Sequence, residues 1–233
     1  MAGNNRKTEC DRCGTCCIKG GPALHYEDRT LLENNVLNPA HLISIRKGEP
    51  VFSPSAENPE PAQSEIVKIK GRGMEWTCLF LQEKDAACAI YEHRPLECSL
   101  LKCWETADLE KVAGINLLSR YDIIAPQEPV LPFIKIHDEK CSLEKLALLL
   151  SAVKRESSQS QAAADLTRLV NTDMALRAQA CARFNFNLDL ELFFFGRPLF
   201  IILNQFGIET HEKNGVWSLS FSASPAASRL ANP

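Results

Sequence analysis

Eight cysteines in the first 103 residues are the side chains of this chain best suited to chemistry: Cys10, Cys13, Cys16 and Cys17 in one run, then Cys78, Cys88, Cys98 and Cys103. Thiolates are soft ligands that select zinc, iron–sulfur clusters or copper over hard cations. In Cys10-x-x-Cys13-x-x-Cys16 each two-residue gap lets the backbone fold back, helped by Gly14, so that successive sulfurs converge on one centre. This spacing suits zinc sites and iron–sulfur ligation alike. Cys17 is different. Neighbouring side chains diverge on extended backbone, so either Cys17 serves a second site or a multinuclear cluster uses both Cys16 and Cys17.

The second group has ten-residue gaps, which no single helix face can gather, so its ligands must come from loops and element ends. Cys98 and Cys103 are five residues apart, about 140° around an ideal helix. If Pro95–Trp104 is helical they point in different directions, and Cys103 stands apart from the other seven. Eight thiolates could hold two tetrahedral zinc ions, one cubane cluster with spare cysteines, or two cubanes. The repeated spacing and the scarcity of histidine nearby favour an iron–sulfur cluster (4Fe-4S) over zinc. Either centre is anionic, and Arg12, Lys19, Arg94 and Lys102 flank it. Arg94, fixed by Pro95, is the best placed to contact the cofactor through hydrogen bonds to sulfur.

The remaining cysteines, Cys141 and Cys181, read as small packing side chains. A net charge of −3 and a pI near 6.0 give no basic stripe for nucleic acid. The apolar run Leu188–Leu203 is broken by Asp189, Glu191, Arg197 and Pro198, so no membrane span is expected. Met1–Lys7 is polar, with no apolar signal-peptide core behind it. The expected compartment is the cytoplasm, where thiols stay reduced and dense cysteine patterns point to metals rather than disulfides.

The elements that must position these residues are short at first. A helix is expected near Tyr26–Asn35, a surface loop over Pro50–Pro61, a strand at Ile66–Lys70 and a turn at Gly71 and Gly73. Pro95 can open a helix, and Thr106 can cap another running to about Arg120. Pro126, Pro129 and Pro132 form a connector. Beyond it, Leu143, Leu146, Ala147, Leu150 and Val153 recur at helical spacing behind a Ser142 cap, and Leu166, Val170, Met174 and Cys181 mark a second helix. A third apolar stretch runs from Leu188 to Phe206, with Phe193, Phe194 and Phe195 in the core. Asn214-Gly215 predicts a closing hairpin with Trp217, Leu219 and Phe221 alternating after it. The expected fold class is α+β: an irregular metal-organised domain over 1–125, a helical region with the hairpin over 126–221, and a frayed tail over 222–233.

Cys10–Cys17, then Cys78-Leu79-Phe80-Leu81, then Cys88-Ala89-Ile90-Tyr91-Glu92-His93-Arg94-Pro95-Leu96-Glu97-Cys98 resembles the YkgJ-type cysteine-cluster family, also described as the CxxCxxCC zinc- or iron-chelating domain. The likeness spans roughly residues 8–104, and Cys103 lies beyond its common pattern. It implies a metal-binding domain. A flagellin lysine methylase resembles this family in its cysteine cluster, so the resemblance admits an enzyme, although no Gly-rich nucleotide-binding turn accompanies it here. The leading expectation is a cysteine-cluster protein for electron transfer, redox sensing or structural organisation. The alternatives are a metal-dependent modifying enzyme, or an interaction module whose C-terminal helices dock a protein partner.

Overall fold

The structure is a computed structural model that describes residues 11–51, 59–73, 76–156 and 160–221. Cys10 and the tail Ser222–Pro233 lie outside the described residues. The fold is α+β, mixing helices with strands that pair only two at a time among the described residues. Two compact units interleave along the chain: one takes 11–41 and 68–118, the other 42–67 and 119–221.

In the first unit, no element among the described residues exceeds five residues, shorter than the helices expected at Tyr26–Asn35 and from Thr106. Its spine is the segment Pro22–His25. Ile69 N–H donates to Pro22 O (3.0 Å) and Leu118 N–H to Leu24 O (2.8 Å), while Leu24 is wholly buried. Gly21 is required by this approach, because a Cβ there would stand 2.3 Å from Ile69 O. The Tyr26–Asn35 helix forms as a 3-10 turn, Tyr26–Asp28, running into Arg29–Glu33. Two minimal hairpins follow, pairing Gly71–Arg72 with Thr77–Cys78 and Leu81–Gln82 with Ala87–Cys88. Pro95 opens the helix Leu96–Leu100 as expected. The long helix expected from Thr106 to Arg120 does not form. It stops after Ala107–Glu110 because Gly114 (φ 77°) and Asn116 (φ 52°) turn the chain left-handed, and Thr106 spends its hydroxyl on Glu110 Oε1.

The second unit holds the long helices. Pro132 sits in the first turn of Leu131–Lys140, where its missing N–H costs nothing. Ser142 accepts a hydrogen bond from Lys145 N–H and caps Leu143–Arg155. Leu143, Leu146, Leu150 and Val153 face the core, whereas Ala147 is exposed, one step off the buried stripe. Gln161–Phe184 packs against this helix and buries Leu166, Leu169, Val170 and Leu176. The apolar stretch from Leu188 splits into Leu188–Phe195 and Leu199–Asn204, broken at Gly196 (φ 67°), Arg197 and Pro198. Gly196 is there for space as well. A Cβ would lie 2.7 Å from Ser44 O, on the buried strand Leu42–Ile45 that packs against Leu188–Phe195. The expected Pro50–Pro61 loop is closed at its base by Pro50–Val51 pairing with Glu60–Pro61, and residues 52–58 lie outside the described set.

The closing hairpin pairs Ile208–Lys213 with Val216–Phe221 around Asn214 (φ 54°) and Gly215 (φ 78°). Trp217 stacks on Phe200 with ring centroids 4.4 Å apart. The free edge of the hairpin is met by a helix side chain: Asn171 Nδ2 donates to Trp217 O (2.8 Å) and Trp217 N–H donates to Asn171 Oδ1 (2.9 Å). Asn171→Ala would leave both backbone groups unpaired, costing about 1–3 kcal/mol. Chemical denaturation should show this as a lowered midpoint at unchanged slope. No helix among the described residues is long and apolar enough to cross a membrane.

Candidate metal centre

The centre is assembled from four short pieces of the first unit. Gly14, left-handed at φ 74°, turns the chain into the one-turn helix Thr15–Ile18 and leaves room for Ala86 and Leu81, each 3.3 Å from where its Cβ would be. Cys16 and Cys17 therefore sit on helical backbone, not the extended backbone on which they were expected to diverge, and their thiols are close enough for each to shift the other. That helix packs on Thr77–Cys78. Cys88 ends the next hairpin opposite Leu81, and Cys98 lies in the helix Leu96–Leu100. This helix stops before Cys103, which is carried round instead by a tight turn bridging Lys102 and Glu105.

Cys13, Cys16, Cys17, Cys88, Cys98 and Cys103 line one cavity of about 340 Å³. Cys78 is buried, and its thiol is close enough to those of Cys16, Cys17, Cys88 and Cys98 for each pair to feel the other's charge. Five sulfurs thus form an inner group. Cys13, Cys16 and Cys103 are solvent-exposed. Every cysteine of the sequence motif that lies among the described residues is brought to this place.

The thiols are not equivalent. Interaction with the Cys17 thiol, with help from the Arg94 guanidinium, lowers the Cys16 pKa to about 6, while Cys17 is pushed up by that interaction and by burial. The Thr15 hydroxyl, 3.2 Å from Cys13 Sγ, holds Cys13 below the usual thiol range. Burial raises Cys78 and Cys98, and for Cys98 the neighbouring sulfurs add to it. Buried thiols held protonated this way must lose their protons to ligate, so a metal competes with protons for them.

Cations stand over the same cavity. Arg94 stacks on the Tyr91 ring at 3.8 Å and Arg12 lies over it at 4.3 Å. Arg94 Nε is buried without a hydrogen-bond partner, and Arg94 lines the same cavity as the sulfurs. Lys19 and Trp104 also line it, whereas Lys102 pairs with Asp108 (3.2 Å) and His93 is exposed.

The residues that the sequence did not single out stand behind the Cys98 helix. Asp28 Oδ1 accepts Leu96 N–H (2.8 Å), capping the first turn from a distant segment, and its Oδ2 accepts His25 N–H (2.9 Å). Glu97 accepts Ala23 N–H (2.9 Å) and contacts His25 Nε2 (3.3 Å). His25 and Asp28 are buried. Only the buried position of a histidine and an aspartate would have signalled this support, and burial is not visible from spacing.

Comparison with known proteins agrees with this geometry. Residues 9–116 match the model of the CxxCxxCC family, described as "Putative zinc- or iron-chelating domain". No curated protein and no solved structure matches the chain. The cysteines and the cavity they line thus fall within the part of the chain, residues 9–116, that matches the model of the CxxCxxCC zinc- or iron-chelating domain.

Proposed function

We propose that the centre carries an iron–sulfur cluster and that the protein serves electron transfer or redox sensing. The carrying observation is the breadth of the site. A zinc ion bound by four thiolates at 2.3 Å draws its sulfurs to about 3.8 Å from one another. The thiols of Cys16, Cys17, Cys78, Cys88 and Cys98 feel one another's charge, and six of the cysteines share a 340 Å³ cavity. That breadth fits a cofactor several atoms across better than one ion. The donor set fits as well: Cys78, Cys88 and Cys98 with Cys16 or Cys17 would supply four thiolates, and Cys10, Cys13 and Cys103 are the further ligands assigned to the centre. Arg94 would donate from its unpartnered Nε toward the anionic sulfurs, and Trp104 and Leu101 would limit water at the rim, both of which tune a cluster's potential.

These residues would hold such a cluster, offset its charge and shield it, and the chemistry it would supply is one-electron transfer. A modifying enzyme is the second reading, favoured by the aromatic wall of Tyr91 and Trp104, which leaves the cavity partly organic in character.

Anaerobic purification followed by iron, zinc and acid-labile sulfide analysis tests the proposal. A brown protein with iron and sulfide in near-equal amounts is expected. A colourless protein with stoichiometric zinc at these cysteines would overturn it.

A further inference from the structure

Three side chains able to ligate a metal meet in the second unit, outside the residues that the family model covers. His137 and Cys141 are four residues apart, on and just past the helix Leu131–Lys140, so they share a face. Asp173 comes from Gln161–Phe184. One imidazole nitrogen, the sulfur and one carboxylate oxygen all lie within 4.8 Å of one another, and all three residues are 0% exposed.

The surroundings are those of a built site. His137 Nε2 is 2.6 Å from Asp173 Oδ1. Its other nitrogen, Nδ1, is buried without a hydrogen-bond partner and faces Asp138 Oδ1, equally without one, at 3.8 Å. A carboxylate behind the second nitrogen is how ligating histidines are commonly oriented. Asp138 is itself held by Arg120 Nη2 (2.5 Å) and by the Tyr121 hydroxyl (2.6 Å). Asp173 is fixed by Arg177 Nε (2.9 Å) and Leu199 N–H (2.8 Å).

Charge decides what the trio can take. Arg46, Arg120, Arg177 and Arg197 are buried here, and Arg177 and Arg46 stand close to Asp173. The carboxylates of Glu49, Glu65, Asp138, Asp173 and Glu191 answer them, one more than the arginines. A thiolate at Cys141, on which Lys145 also acts, adds a further negative charge, and a divalent cation is the partner that offsets it. With a neutral thiol instead, the trio is a hydrogen-bond network, and these are the two rival states.

We propose that His137, Cys141 and Asp173 form a second metal site, for a single divalent cation of the zinc type, separate from the cysteine centre. Mixed sulfur, nitrogen and oxygen donors suit zinc rather than calcium or magnesium. Burial pushes the Cys141 thiol up to about 12, so its sulfur becomes an anion only against a cation. With no exposure at any ligand, the ion must enter as the chain folds.

The full-length chain and its Cys141→Ser and His137→Gln variants, expressed with zinc supplied, test this by elemental analysis. Each variant should hold one zinc per chain fewer than the wild type, with the iron content and visible spectrum of the cysteine centre unchanged. Equal zinc in all three would overturn the site and leave the trio as a protonated hydrogen-bond network. Because a buried substitution can prevent folding, X-ray absorption at the zinc edge of the wild type gives a second readout. A shell mixing sulfur with nitrogen and oxygen supports the site; a sulfur-only shell, or no zinc, overturns it.

Discussion

Cys98→Ser should release the metal and unfold the first unit while leaving the second folded. Cys98 faces the thiols of Cys78, Cys16 and Cys88, and its helix is anchored by Asp28 and Glu97. The unit has few long elements to survive without its ligands. Metal binding to small cysteine-built domains supplies on the order of 10 kcal/mol of folding free energy, comparable to the whole stability of a typical domain. The expected result is loss of bound metal together with rapid proteolysis within 68–118, while fragments covering 119–221 persist. Cys103→Ser should be milder, since Cys103 is exposed at the rim. Equal protease resistance of Cys98→Ser and wild type would mean that the fold of the unit does not depend on its metal.

Arg177→Met is the second large expected effect, now in the other unit. Arg177 is 1% exposed and donates to Asp173, Glu191, Gly196 O and Phe195 O at 2.9–3.1 Å. Removing it strands a carboxylate that is wholly buried and leaves two carbonyls unpaired where the chain breaks between helices. Loss of one partner of a buried ion pair costs about 3–5 kcal/mol, and calorimetry of the second unit should report a correspondingly lower melting temperature. The same network sets an acid dependence. For Asp173 and Asp138 burial opposes ionisation, but Arg177, His137 and Arg120 outweigh it and hold both carboxyls well below the ordinary carboxylate value. Groups depressed on folding stabilise above their unfolded pKa and lose that contribution as pH falls toward the folded one. Stability of the second unit should therefore drop from about pH 4 downward. Glu65, raised by burial, works the other way and softens the slope.

How much of this could be read from the chain depends on whether a feature is local. The Ser142 cap, the Asn214-Gly215 turn and the opening of a helix at Pro95 need only their immediate neighbours, and all three form as expected. The cysteine motif is legible because its spacing is itself the geometry. The interleaving of 42–67 with the C-terminal unit is not local. Ser44 Oγ donates to Phe193 O and Glu49 pairs with Arg197 across about 150 residues, and neither partner advertises the other. The break at Gly196 was hidden inside an apolar run because the close approach of Ser44 O decides it. Cys141 reads as a packing thiol in sequence, and only the arrival of Asp173 from another helix gives it company.

The most direct test of the cysteine centre is alkylation of the native protein, read cysteine by cysteine by mass spectrometry before and after chelation. Cys13 and Cys16 are exposed to solvent, and the Cys13 and Cys16 thiols are the ones held below the usual range, so by themselves they should react first. If they hold a metal, they resist the reagent in the protein as purified and become its fastest sites once the metal is removed. Immediate alkylation of both, unchanged by chelation, would contradict a metal centre at these residues.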